Sequence, residues 1–191
     1  AITTSGGAAA GITSGVGGVG GAISITSSGT TTLNGNLTAI GGLGSGGAQG
    51  VGGAVTLNSA TLLGADIAID TGATAGTITF SSTLNGAQAL TLTAGTGNIV
   101  FTGVVGGTAR LGVLTLNSAT DVTATTLSAA SIKQLASSGT TTFNGAVNTN
   151  AGAGIDLNGV TYAINQTITT TNNGPVTITN SGTLTIVDAG D

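Results

Sequence analysis

Six aspartates carry the acidic chemistry of this 191-residue chain: Asp66, Asp70, Asp121, Asp156, Asp188 and Asp191. Glu, His, Cys, Met and Trp do not occur, and Lys133 is the one lysine. This inventory removes zinc, copper and haem ligation by the usual side chains. It also removes Ser–His and Cys–His nucleophile pairs and the commonest general bases. Asp66 and Asp70 stand four residues apart on one side of a strand, about 13 Å at 3.3 Å per residue. One calcium ion does not bridge that gap, and a retaining glycosidase needs carboxylates about 5 Å apart. The aspartates read as solvent-facing or corner residues, ahead of calcium ligation and well ahead of catalysis. No catalytic, cofactor-binding or metal-binding residue is assigned, and no cofactor is expected.

Ser131 and Lys133 would share one face of a strand, a spacing that evokes Ser–Lys nucleophiles. A lysine buried near Asn and an acid could also form an isopeptide crosslink. A surface lysine with a packed aliphatic stem is the preferred reading. Thr-x-Thr triplets raise ice binding: Thr77-Ile78-Thr79, Thr91-Leu92-Thr93, Thr167-Ile168-Thr169, Thr177-Ile178-Thr179 and Thr183-Leu184-Thr185. They do not recur at one per coil-sized interval, and the fit of β-branched residues to a pleated surface explains them. Asn36-Leu37-Thr38 and Asn165-Gln166-Thr167 match the N-glycosylation pattern, which arises often by chance.

The elements holding these residues are strands. Period-2 alternation runs along the chain, as in Ile23/Ile25, Val55/Leu57, Ile67/Ile69, Ile78/Phe80, Leu90/Leu92, Ile99/Phe101, Leu114/Leu116, Ile155/Leu157, Val176/Ile178 and Leu184/Ile186. The best helical candidate, residues 125–137, spaces Leu127, Ile132 and Leu135 irregularly and reads as strand or irregular structure. A unit of Thr, Leu or Phe, Asn, then Gly or Ser recurs at Thr32–Gly35, Thr56–Ser59, Thr83–Gly86, Thr115–Ser118 and Thr142–Gly145, with Asp156–Gly159 as a variant. Asn and Gly tolerate φ > 0, so each unit reads as a strand end followed by a bend.

Such bends suit either an antiparallel sandwich or a β-solenoid. Two features favour the solenoid. Ser replaces Gly after Asn and alternation then resumes, so no tight hairpin is required. Aromatics are 2% of residues, only Phe80, Phe101, Phe143 and Tyr162, which is thin for a sandwich core. Charged residues are 4%, against about 25% in ordinary domains. Mean hydropathy is nonetheless +0.48, so the chain can bury aliphatic surface. Like charges stacked about 4.8 Å apart would repel, which accounts for their scarcity.

Two strands with their bends take about 20 to 24 residues, within the range of solenoid repeats. "SSGTTTLNGNL" at 27–37 returns 110 residues later as "SSGTTTFNGAV", which five such coils would give. "VTLNSAT" at 55 returns as "LTLNSAT" at 114, an offset of 59 that no whole number of coils gives. Nine or so coils would make a rod of about 40 to 45 Å. The expectation is a single elongated solenoid over 1–191, with Gly-rich loops or loose coils near 5–22 and 41–54.

"GAISITSSGTTTLNGNLTA", "GAVTLNSATLLGADIAIDTG", "GNIVFTGVVGG" and "GPVTITNSGTLTI" resemble the strand repeats of very large bacterial exoproteins. These are the filamentous haemagglutinin-like, two-partner-secretion and autotransporter-type surface proteins. The resemblance covers nearly the whole chain as a style of repeat. It implies a right-handed parallel β-helix, secretion to the bacterial cell surface, and adhesive or structural roles.

Two Lys or Arg residues in all argue against nucleic acid and anionic membrane as partners. No apolar run approaches the length of a membrane span. Without an initiating Met or basic n-region, the chain reads as a processed protein or a piece of a longer one. "AITTSGG" and "LTIVDAGD" offer no polar cap, so the expected partners are further coils or other copies of this chain. The expected role is a shaft, sheath or filament segment rather than an enzyme. The alternatives are an antiparallel sandwich of adhesin repeats and an ice- or glycan-binding module on a Thr/Asn-rich face.

Overall fold

A computed structural model describes residues 1–9 and 15–187. The described chain is all-β, and every pairing between its named strands is parallel. The polypeptide winds as a solenoid with three faces, so each strand lies beside the one a full turn later in sequence.

The first face is a sheet of eight short strands: β2 (Ile23–Ile25), β5 (Val55–Leu57), β8 (Ile78–Phe80), β11 (Ile99–Phe101), β13 (Val122–Ala124), β15 (Thr140–Phe143), β18 (Thr161–Ile164) and β21 (Leu184–Ile186). The second face begins with β3 (Thr31–Leu33), β6 (Thr61–Leu63) and β9 (Leu84–Asn85). It continues through Val105, bridged to Leu84 and Leu127, into the start of β14 (Leu127–Gln134), then β16 (Val147–Thr149) and β19 (Ile168–Thr170). The third face comprises β1 (Ile2–Thr3), β4 (Leu37–Thr38), β7 (Ile67–Asp70), β10 (Leu90–Thr93), the end of β12 (Leu111–Ser118), the end of β14, β17 (Ile155–Gly159) and β20 (Val176–Asn180). β12 and β14 run through a corner without breaking, which joins the second and third faces into one sheet there.

The register on the first face gives the coil length directly. Successive partners are Ile23, Val55, Ile78, Ile99, Val122, Thr141, Tyr162 and Leu184, in steps of 32, 23, 21, 23, 19, 21 and 22 residues. After the first turn the coils take 19 to 23 residues, against the 20 to 24 expected. The stack is eight strands deep rather than nine, about 34 Å at 4.8 Å per rung.

The extra residues of the first turn lie in the Gly-rich stretches, of which 10–14 fall outside the described residues. The described parts are extended segments tied to one another by main-chain bonds. Gly18 donates to Gly7 O, Gly42 to Gly18 O and Gly50 to Gly42 O, each at 2.8 Å. A Cβ at Gly20 would fall 2.6 Å from Ala39 O, so only glycine lets these backbones lie so close.

Alternation puts one set of side chains into a narrow aliphatic interior. One column runs Ile2, Leu37, Ile69, Leu92, Leu116, Gln134, Leu157, Ile178 on the third face. Another runs Ile25, Leu57, Phe80, Phe101, Ala124, Phe143, Ile164, Ile186 on the first. Phe80 and Phe101 stack with centroids 5.3 Å apart and planes 11° from parallel. All four aromatic residues of the chain are buried, so its few large side chains are spent on the middle of the rod.

The Asn-containing units do end strands at bends, but they occupy all three corners. Thr32–Gly35 leads from the second face to the third, Thr115–Ser118 from the third to the first, and Thr142–Gly145 from the first to the second. The expected left-handed backbone occurs in these units only at Gly86, with φ 129°. At Gly159 the reason for glycine is crowding: a Cβ there would sit 2.8 Å from Tyr162 Oη.

Candidate functional site

The structure separates the two groups of the candidate Ser–Lys pair. Ser131 is buried, Lys133 is exposed, and buried Ile132 lies between them. The chain turns from the second face to the third within β14, so in–out alternation slips by one residue. Their shared-face placement is thereby overturned, and no nucleophile pair forms. Lys133 aligns with Asp156 on the next rung, both on the solvent side.

Three aspartates act as main-chain acceptors. Asp66 Oδ1 accepts the Ala89 N–H at 2.8 Å and Asp121 Oδ1 the Thr140 N–H at 2.7 Å, each one rung on. Asp70 Oδ1 accepts Gly72 N–H at 2.8 Å within its own turn. Asparagines do the same work. Asn36 Oδ1 takes Ala68 N–H at 2.9 Å and Asn98 Oδ1 takes Asp121 N–H at 3.1 Å. Corner N–H groups face outward with no strand partner, and a short Asx side chain satisfies them. Asp188 and Asp191 lie outside the described residues. The glycosylation-pattern asparagines are also engaged, Asn36 as above and Asn165 by donating to Asn144 Oδ1 at 3.0 Å.

The Thr-x-Thr triplets scatter over all three faces. What does align is the outward column of the first face: Ser24, Thr56, Thr79, Val100, Thr123, Thr142, Ala163, Thr185.

One polar cluster lies inside the rod. Gln134 takes an apolar column position and is 1% exposed. Its Nε2 lies 2.9 Å from Ser137 Oγ, 2.9 Å from Thr141 Oγ1 and 3.0 Å from Tyr162 Oη. Thr141 donates to Gln134 Oε1 at 3.1 Å. Burial, and after it the Asp156 carboxylate, push the Tyr162 phenol from 10.0 up to about 12. The phenol therefore stays protonated at neutral pH, and the cluster is neutral. These groups satisfy one another and fix the register of three strands. The sequence signal was a Gln and a Thr at positions where alternation calls for aliphatic residues.

Arg110 is a second feature without a sequence motif. Its Nη1 donates to Ala129 O at 3.1 Å and Asn148 O at 2.7 Å, and its Nη2 to Asn148 Oδ1 at 3.0 Å. The side chain thus clamps two later rungs at a corner.

An open concavity lies at each end of the described coil stack. At the C-terminal end, an open cavity of about 480 Å³ is lined by Ile164, Ile168, Val176, Ile178, Ile186 and Val187, with Gln166 and Thr167 at its margin. β21 is exposed at every position, and Ile186, whose column is buried in the middle rungs, is 65% exposed. At the other end, Ala1, Ile2, Leu33 and Leu37 line a concavity of about 260 Å³ with Asn34 and Gly35. Each end presents the cut cross-section of the aliphatic interior, rimmed by strands with one unpaired edge. That arrangement can accept another parallel rung.

Comparison of the chain with protein-family models, curated proteins and solved structures returns no match.

Proposed function

We propose that the chain is a structural segment of a secreted bacterial cell-surface protein, a shaft or a filament or sheath building block that works through shape and end contacts rather than catalysis. The observation that carries this reading is the narrow interior column that runs the length of the described rod, apolar at every rung but Gln134. The resemblance of its strand repeats to filamentous haemagglutinin-like and autotransporter-type exoproteins supports the surface location. Antibody against the chain should label intact cells of the producing bacterium and decorate elongated material in electron micrographs. Labelling only after permeabilisation would reject the assignment.

The Thr-rich outward column of the first face favours a second reading, a face that binds glycans or ice. Glycan-array binding and thermal hysteresis test it, and blank results in both would remove it.

A further inference from the structure

We propose that the first face of the rod binds the surface of ice. This rests on the second reading above and commits it to one of its two ligands. The site is the middle of the face, the strands β8, β11, β13, β15 and β18, each with a described strand on either side.

Each of these strands places a side chain outward at its centre and another just beyond either end. Thr79, Thr123 and Thr142 stand in the centre column, Thr77, Thr140 and Thr161 in one flanking column, and Thr102 in the other. Partners follow one to one from rung to rung, whereas the third face slips between Leu92 and Thr93. The result is a flat grid of small groups, about 4.8 Å apart across the rungs and about 6.6 Å apart along them. Asp121 is the one charged residue in it, and its carboxylate accepts the Thr140 N–H. Asp66, Asp70, Arg110, Lys133 and Asp156 lie on the other two faces or at their corners.

The hydroxyls of this grid are unspent. Corner threonines Thr71, Thr74 and Thr120 donate to main-chain carbonyls, and interior Thr141 bonds Gln134. Thr79, Thr123 and Thr142 have no such partner among the described residues, although each is half-buried at its base. A hydroxyl both donates and accepts, as every water in ice does, and the γ-methyl beside it orders the water above. A dissolved sugar is instead gripped in a concavity by convergent groups. Concavities of about 370 and 270 Å³ lie at corners, off the grid. A solid polysaccharide offers sugar-ring faces that aromatic side chains cover, and all four aromatics here are buried. A flat, uncharged, periodic array of hydroxyls and methyls fits a periodic, uncharged lattice of water.

The test measures thermal hysteresis, and capture of the chain into a slowly growing ice front, for the 191-residue protein and three variants. Thr123→Lys sets a long charged side chain in the centre of the grid, and Thr102→Lys does so at a fully exposed margin position that the fold tolerates. Thr91→Lys makes the same change on the third face. Circular dichroism checks that each is folded. The unaltered chain and Thr91→Lys should show hysteresis that rises with concentration and should enter the ice, and Thr102→Lys and Thr123→Lys should lose both. An unaltered chain without hysteresis or capture overturns the proposal, and so does equal activity in Thr102→Lys and Thr91→Lys. A glycan array run beside it separates the two failures. Glycan binding that Thr102→Lys abolishes, with no effect on ice, sinks this proposal and leaves the binding-face reading standing on its other ligand.

Discussion

Replacing Gln134 by Leu tests whether the buried polar cluster is held together as a unit. The substitution puts an aliphatic side chain where the column otherwise has one, so a purely hydrophobic account predicts a gain. The structure predicts a loss. Gln134 is the shared partner of Thr141 and Tyr162, both 0% exposed, and of nearly buried Ser137. Each of the two fully buried hydroxyls, left without a partner, costs about 1–3 kcal/mol. The apolar area gained by Leu returns about 1–2 kcal/mol. At mid-range values, about 4 kcal/mol lost and about 1.5 regained, the net is a destabilisation of about 2–3 kcal/mol. Urea unfolding followed by circular dichroism should show a lower midpoint with an unchanged slope. The combined variant Gln134→Leu, Ser137→Ala, Thr141→Val, Tyr162→Phe removes all the side-chain partners together. It should recover to within about 1 kcal/mol of the parent or exceed it, since an apolar replacement of a whole buried network is close to neutral. A neutral single substitution, or a combined variant no better than the single one, would refute the reasoning.

Four further outcomes are expected. Thr149 is fully buried, and its Oγ1 is the one buried side-chain polar atom among the described residues without a partner. Thr149→Val should therefore stabilise the chain by about 1 kcal/mol in the same unfolding assay. Gly86→Ala meets φ 129° and a Cβ 2.6 Å from Leu63 O, and should cost about 2 kcal/mol or more. Gly29→Ala meets open space and should be neutral or stabilising by up to about 1 kcal/mol. The Tyr162 phenol loses its proton near pH 10 when unfolded but only near about 12 when folded. Unfolding thus binds fewer protons above pH 10, so stability is flat below that pH and falls by about 2–3 kcal/mol between 10 and 12. Tyr162→Phe should abolish that slope.

Much of the architecture was legible because a solenoid repeats one local rule. Alternating pairs such as Ile78/Phe80 and Ile99/Phe101 are the inward positions, and the Asn-containing units are the corners. The two long repeats carried a subtler message. Residues 31–33 lie on the second face, whereas their counterparts 141–143 lie on the first. Val55–Leu57 lies on the first face and Leu114–Leu116 on the third. Each face is a short in–out–in strand closed by a corner, so one side of the triangle, about a third of a coil, is the interchangeable unit. An offset of 59 residues is then natural, although it is no whole number of coils. The Ser131–Lys133 placement failed because alternation cannot show where a strand passes through a corner. Gln134, Tyr162 and Arg110 were invisible as a group because their partners come from other rungs, 19 to 38 residues away in the Arg110 clamp and 28 between Gln134 and Tyr162.

The central claim is that the coils stack in parallel, one rung per column position. The chain has no cysteine, so spin labels can be placed cleanly at Thr56 paired with Thr123, Thr142 or Thr185, all outward on the first face. These positions lie three, four and six rungs apart, and electron–electron distance measurements should centre near about 14, 19 and 29 Å at 4.8 Å per rung. Separations that do not grow in step with rung number, as in an antiparallel sandwich, would contradict the stacked-coil structure.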